Sequence, residues 1–353
     1  MPARVRDAAL YVIRALGGFA IAQYFTRRRL RILCYHGFSL GDEHEYIPHM
    51  FMRADTFRRR LEILGRRRIP VVKLDEAVTA FKRGAILNSE TVITLDDGWA
   101  SNLYVGAPLL SQFGFPACIY VTTNHLTSPP EVFNVVLYYL ILKSGLPQFR
   151  LSGIHPAIDG EFSVGNDPTI ATTKIIEAAE RHLDSATRHA ILTPIATALG
   201  LTIADVLTNG RFQLLSRDQI ARLSNGGIDI ELHTHTHRLP SDLERAKREV
   251  ELNRDAVISI TGRDPKHFCY PSGLYGDAHP KLLADLGILS ATTCDPGLNE
   301  AGTSAMLLRR FLDSETESDI AFEAEISGLR ELARAARKIL QKSVPLKRRH
   351  KEA

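Results

Sequence analysis

The chain has 353 residues, 44% hydrophobic and 24% charged, with 24 glycines and 17 prolines. That length suits one large α/β domain or two ordinary ones, and the near-average composition excludes wholesale disorder, collagen-like repeats and a disulfide scaffold. The net charge of +4 is uneven: residues 1–31 carry seven arginines and one aspartate, residues 334–353 eight basic residues and one glutamate, leaving −9 on the 302 residues between.

A mildly acidic body argues against nucleic acid as a partner, whereas basic ends suit contact with something anionic, such as a membrane surface. Mean hydropathy of −0.08 excludes a polytopic membrane protein. Cys34, Cys118, Cys269 and Cys294 form no CxxC pair and read as buried free thiols of a reducing compartment.

Residues 8–25 (AALYVIRALGGFAIAQYF) are almost wholly apolar, with arginines on both flanks. The stretch is short for a transmembrane helix and carries Arg14 near its middle. RRRLR follows it where a signal peptide would need a small-residue cleavage site. An interfacial helix, apolar side down and arginines toward headgroups, fits both flanks. A helix packed on the domain is the plain alternative. The favoured readings leave the body cytoplasmic, peripheral at the inner face of the membrane.

Further along, short apolar runs alternate with helical stretches, the pattern of βα units around a parallel sheet. RILCYH (31–36), IPVVKL (69–74), TVITL (91–95), ACIYVTT (117–123), IDIEL (228–232), HFCYP (267–271), ILSATTC (288–294) and MLLRRFL (306–312) read as strands. Helices are expected over 56–68, over DEAVTAFKRG, over about 241–261 and over HPKLLADLG. Residues 127–215 break the rhythm: they open on Pro129-Pro130, contain the apolar VFNVVLYYLIL and read as a helical insertion between two barrel strands. The division is thus 1–31 as a terminal helix, 32–315 as the main domain, and 316–353 as a helix with a basic tail.

Three motifs fall at strand ends, where α/β barrels place catalytic groups. Asp96 and Asp97 in TLDDG (94–98) are adjacent carboxylates whose mutual repulsion a cation would relieve; a plain Asp-Gly turn is the alternative. His233, His235 and His237 in HTHTH (233–237) are imidazoles of the kind that bind zinc-like metals. A helical turn after the strand would join His233 and His237, whereas a continued strand would join residues two apart. CYPSG (269–273) is a strand followed by a turn whose backbone N–H groups could face an anionic oxygen.

In order and spacing these motifs resemble those of the NodB-type polysaccharide deacetylases, carbohydrate esterase family 4. The family's T-F-D-D-G, H-[S/T]-x-x-H and P-x-G patterns match TLDDG, HTHTH and CYPSG, and LCYHGF, FPACIYV, SATT and LLRRF extend the likeness over about residues 32–315. The resemblance implies an α/β fold, a distorted (β/α) barrel with fewer than eight complete units and a helical insertion. It implies a divalent metal ion, expected to be zinc, on Asp97, His233 and His237, with Asp96 as general base and a backbone N–H near Ser272 on the oxyanion.

Three departures qualify that transfer. Cys269 stands where the family carries the arginine that steadies the catalytic Asp; Arg310 is the candidate substitute and, with Ser272, a candidate for contact with substrate or the oxyanion. Ser272 replaces an aromatic residue. The late catalytic histidine is missing, and His36, on an early strand, is the candidate acid, with a histidine hydrogen-bonded at a strand end as the alternative.

The implied activity is metal-dependent removal of an N-acyl group, expected to be N-acetyl, from an amino sugar of a polysaccharide or lipid-linked glycan precursor. A deformylase, an O-acetyl esterase or a catalytically silent glycan-binding homologue are the rival readings. Carbohydrate is the expected partner, and nothing in the pattern selects an oligomeric state.

Overall fold

A computed structural model of the chain describes residues 3–127, 130–165 and 167–343. Seven parallel strands build its main sheet: β1 (Arg31–Tyr35), β2 (Thr91–Leu95), β3 (Cys118–Val121), β4 (Asp229–Leu232), β5 (His267–Cys269), β6 (Ser290–Thr292) and β7 (Phe311–Leu312). Their spatial order is β6-β5-β4-β3-β2-β1-β7. From β1 to β6 each strand lies beside the next in sequence, as helical crossovers require. β1, β2 and β3 are buried along their whole length, because helices cover one side and the barrel interior the other.

One segment draws the two sheet edges together. Leu308 bridges Thr292 of β6, and three residues later Phe311 pairs with Leu33 of β1. The sheet therefore curls into a distorted (β/α) barrel with fewer than eight strands.

Two expected strands are reduced. In 69–74 only Val71 bridges Thr91 of β2, because Pro70 has no N–H to give and contributes only its carbonyl, 2.8 Å from the Thr91 nitrogen. In 306–312 the ladder is confined to Leu308 and the two residues of β7.

α1 (Ala3–Ala15) and α2 (Gly18–Thr26) precede the barrel, and α3 (Ala54–Arg66) follows β1. The long insertion folds around α4 (Phe133–Ser144) and α5 (Pro168–His182). α5 starts on Asp167, whose side chain accepts the Thr169 N–H, with Pro168 at the first helical position. The insertion also forms an antiparallel hairpin, Gln148–Leu151 with Gly160–Ser163, that the helical reading of the segment did not foresee. Val136, Leu140, Ile175 and Ile195 make its core, which reaches into the barrel through Phe51 and Trp99.

α6 (Leu243–Thr261) covers β4, burying Ala246, Val250, Asn253 and Val257 at helical spacing. At the end of the described chain, α7 (Asp319–Ile326) and α8 (Leu329–Ser343) pack against α1 and α2. Among the described residues no single helix is long and apolar enough to cross a membrane. Pro129 and the basic tail from 344 onward, with His350, lie outside the described residues.

Candidate metal centre and catalytic pair

β2 ends at Leu95, and the two carboxylates follow directly at the barrel mouth. Asp97 takes a left-handed backbone conformation (φ 71°) that is costly for a residue with a Cβ. The twist sends the neighbouring side chains to different partners, which separates two like charges that sequence alone set side by side.

Asp97 meets the histidines. Its Oδ1 lies 3.2 Å from His233 Nε2 and 3.3 Å from His237 Nε2. Ligand atoms of all three residues fall within 4.8 Å of one another. The chain bends after β4 through left-handed Thr234 (φ 63°) and His237 (φ 59°), which brings residues four apart to one side without forming a helix. His235 turns away, its Nδ1 2.9 Å from Thr123 Oγ1.

The outer contacts hold these groups in position. His233 Nδ1 lies 2.8 Å from the Cys269 carbonyl, which only an N–H on that nitrogen can satisfy, leaving the Nε2 lone pair toward Asp97. Trp99 Nε1 donates to Asp97 Oδ2 at 3.0 Å. Asn253, wholly buried on α6, accepts the His233 backbone N–H at 2.9 Å and donates to the Val121 carbonyl and Thr123 Oγ1. Burial pushes the Asp97 carboxyl up, but the two imidazoles outweigh it and hold it well below the carboxylate range. Burial pulls His233 down, and its bond to Asp97 reverses that and raises it. One carboxylate and two oriented imidazoles, with left-handed turns holding them, fit the donor set of a zinc-like ion.

Asp96 meets Arg310. Nη1 donates to Oδ1 and Nη2 to Oδ2, both at 2.7 Å, and neither side chain is more than 4% exposed. Arg310 also donates to the Thr293 carbonyl at 2.9 Å. The Cys34 and Cys269 thiols close on Asp96 Oδ2 at 3.5 and 3.4 Å. Burial drives Asp96 up, and the charge and bonds of Arg310 overcome it, holding the carboxyl at about 2. With its guanidinium spent on Asp96 and no exposed surface, Arg310 is not free to meet substrate or an oxyanion, as a substrate-contacting assignment would need.

His36 lies half-buried between β1 and Gly37, a ring nitrogen within 4.8 Å of the Cys34 thiol and the Asp96 carboxylate. Ser272 is exposed on a left-handed turn (φ 55°) directly after β5, beside the Cys269 carbonyl that orients His233. The sequence reading passed over Trp99 and Asn253 and took Cys34 only as a buried thiol. Of these only Asn253 had a signal, a polar residue on the apolar stripe of its helix.

The family description "Polysaccharide deacetylase" matches residues 168–291, a span that holds His233, His237 and the 269–273 turn but not Asp96 and Asp97. The fold is similar to that of the deacetylase PplD from Streptococcus pyogenes, described in complex with acetate (TM-score 0.56, 14% identity, 84% of this chain and 98% of that one). It is also similar to IcaB from Ammonifex degensii (TM-score 0.55, 15% identity, 85% and 97%). A de-N-acetylase from Aggregatibacter actinomycetemcomitans aligns at TM-score 0.52 and 13% identity over 82% and 97%. No curated protein sequence matches the chain.

Proposed function

We propose that the chain is a NodB-type polysaccharide deacetylase, a hydrolase of carbon–nitrogen bonds other than peptide bonds, and that it hydrolyses the N-acetyl group of an amino sugar in a glycan with the help of one divalent ion. The observation that carries the reading is the division of labour between adjacent carboxylates, Asp97 on two imidazoles and Asp96 on Arg310. A glycan-binding protein would need only the first. Acetate, the acid this reaction releases, is the ligand described for the Streptococcus pyogenes relative.

Asp97, His233 and His237 would hold the ion. When bound, it lowers the pKa of a coordinated water and offers a positive centre to the amide oxygen. Asp96 accepts the proton as water adds to the acyl carbon. Arg310 keeps that carboxylate ionised and aimed, at some expense in basicity, because a group held near 2 is a weak proton acceptor. A backbone N–H at the Ser272 turn supports the oxyanion. His36, beside Asp96, supplies the proton that lets the amine leave as the carbon–nitrogen bond breaks. The products are acetate and a free amino sugar, and the glycan is a polysaccharide or a lipid-linked precursor.

Metal analysis combined with acetate and formate release from oligomers of N-acylated amino sugars tests this. The wild-type chain should carry about one ion and release acetate; Asp96→Asn should keep the ion and lose on the order of 100-fold or more in turnover. Unchanged turnover would remove Asp96 from the role of base. Formate in place of acetate would make the enzyme a deformylase, and neither metal nor release would leave a silent binding protein.

A further inference from the structure

α1 and α2 form a bent pair with two unlike sides. Left-handed Gly17 (φ 81°) breaks the apolar stretch, and the two helices meet at 79°. Their inner side is part of the protein: Leu10 and Phe19 are buried with Ile320, Ala321 and Ala324 of α7. Arg14 reaches Glu323 at 3.2 Å, and Thr26 donates to the Ser327 carbonyl at 3.3 Å. The pair is therefore held in place without any further partner.

The outer side has no cover. Val5, Tyr11, Val12, Leu16, Ile21, Tyr24 and Phe25 are 47–78% exposed, and they are seven of the eleven large apolar side chains at least 47% exposed among the described residues. Surface apolar residues scattered singly need no explanation, but seven within 21 positions on two adjoining helices do. Basic residues predominate around it, and the one acidic residue of the two helices, Asp7, is paired with Arg6. Arg27 lies over the Tyr24 ring at 4.0 Å, and Arg28 is exposed just beyond.

We propose that this face is a docking surface for an anionic lipid bilayer, with Leu16, Tyr24 and Phe25 entering the headgroup–acyl boundary and the arginines meeting lipid phosphates. An apolar centre rimmed by arginine and aromatic residues is what an interfacial helix presents. A second copy of the chain suits the face less well, because a two-fold contact would set arginines against arginines. The pair lies in the bilayer surface and does not cross it, since its inner side is already buried against α7 and α8.

The full chain is mixed with sedimentable vesicles of neutral phosphatidylcholine, or with 30% of that lipid replaced by phosphatidylglycerol, and the bound fraction is measured. Binding to the anionic vesicles is expected to exceed binding to the neutral ones and to fall as salt rises. Each of Leu16→Ser and Phe25→Ser should lower the partition coefficient about tenfold. Arg27→Gln with Arg28→Gln should lower it on anionic vesicles only. Because these side chains are exposed, thermal unfolding should be unchanged, which separates lost binding from lost folding. A wild-type chain that stays in the supernatant with both vesicles overturns the proposal. So does a concentration-dependent dimer that Phe25→Ser dissociates, since the face would then belong to a second copy.

Discussion

Arg310 and Asp96 come from elements 214 residues apart in sequence and meet where water does not reach, so their pairing can be measured as a coupling energy. Replacing Arg310 by methionine keeps the volume roughly constant and leaves Asp96 with two weakly donating thiols. Removing one partner of a buried, two-pronged ion pair costs about 3–5 kcal/mol, chiefly because the other charge is stranded. Replacing Asp96 by asparagine strands the guanidinium at a similar cost. Doing both removes both charges, so the double variant should lie well above the sum of the singles, with a coupling of about 3–5 kcal/mol. Urea unfolding of the four proteins at pH 7 reads this directly.

The acid side gives an independent sign. In the wild type Asp96 is held below its unfolded value, so its contribution is complete above about pH 4 and is lost as pH falls through about 2. In Arg310→Met burial, the largest influence, is opposed only by the more distant charges of His233 and His36, and the carboxyl should rise above the unfolded value. That variant should therefore gain stability relative to wild type as pH falls from 7 toward 4. Additivity within about 0.5 kcal/mol, or parallel pH curves, would refute the pairing as the determinant of the Asp96 environment.

At the opposite end of the barrel, burial lifts Glu231 to about 8 even though it accepts the Lys266 and His267 backbone N–H groups at 2.7 Å. Between the ordinary carboxyl range and that value the folded chain holds a proton that the unfolded chain releases, so stability should fall with rising pH by up to about 1.4 kcal/mol per unit. His267, pulled down to about 4 by burial, acts in the other sense only below its ordinary value. Over pH 7 to 8.5 the difference in slope between wild type and Glu231→Gln reads Glu231, the variant being flatter; equal slopes would refute it.

Arg211 ties the insertion to the barrel through buried Glu43, 2.9 Å away, and within the insertion it donates to Tyr139. Arg211→Met should cost about 3–5 kcal/mol and speed proteolytic cleavage within 130–215, with unchanged cleavage as the contrary result. At Gly273 (φ 70°) an added Cβ would stand 2.7 Å from Cys294 Cβ, whereas at Gly84 (φ 65°) it would meet nothing. Gly84→Ala should lose about 1–2 kcal/mol from backbone strain alone and Gly273→Ala distinctly more; equal losses in calorimetry would contradict the packing.

The sheet was legible because buried parallel strands are written locally, as apolar runs between helices. TVITL and ACIYVTT gave β2 and β3 almost to the residue. IPVVKL misled, since an apolar run with a proline promises more ladder than its N–H groups can supply. The insertion's hairpin was missed for a related reason. Its strands are four residues long and each has two exposed positions, so an alternating pattern had too few residues to stand out.

For the apolar terminus, sequence offered packing or a membrane surface as alternatives. The fold makes the first true of one side and leaves the second open on the other, because the bend at Gly17 lets both helices lay one side on α7 while the opposite side stays exposed.

What the sequence determined by itself was the set of reactive side chains and the strand ends that carry them: Asp96, Asp97, His36, His233 and His237 each lie within a few residues of a readable strand. Tertiary structure decided their partners. Two adjacent aspartates became different only when a left-handed turn at Asp97 sent one to histidines 136 and 140 positions away and the other to Arg310. A carboxylate's protonation depends on the burial and charge within a few ångströms of it, and when that charge arrives from a distant strand no local pattern can announce it.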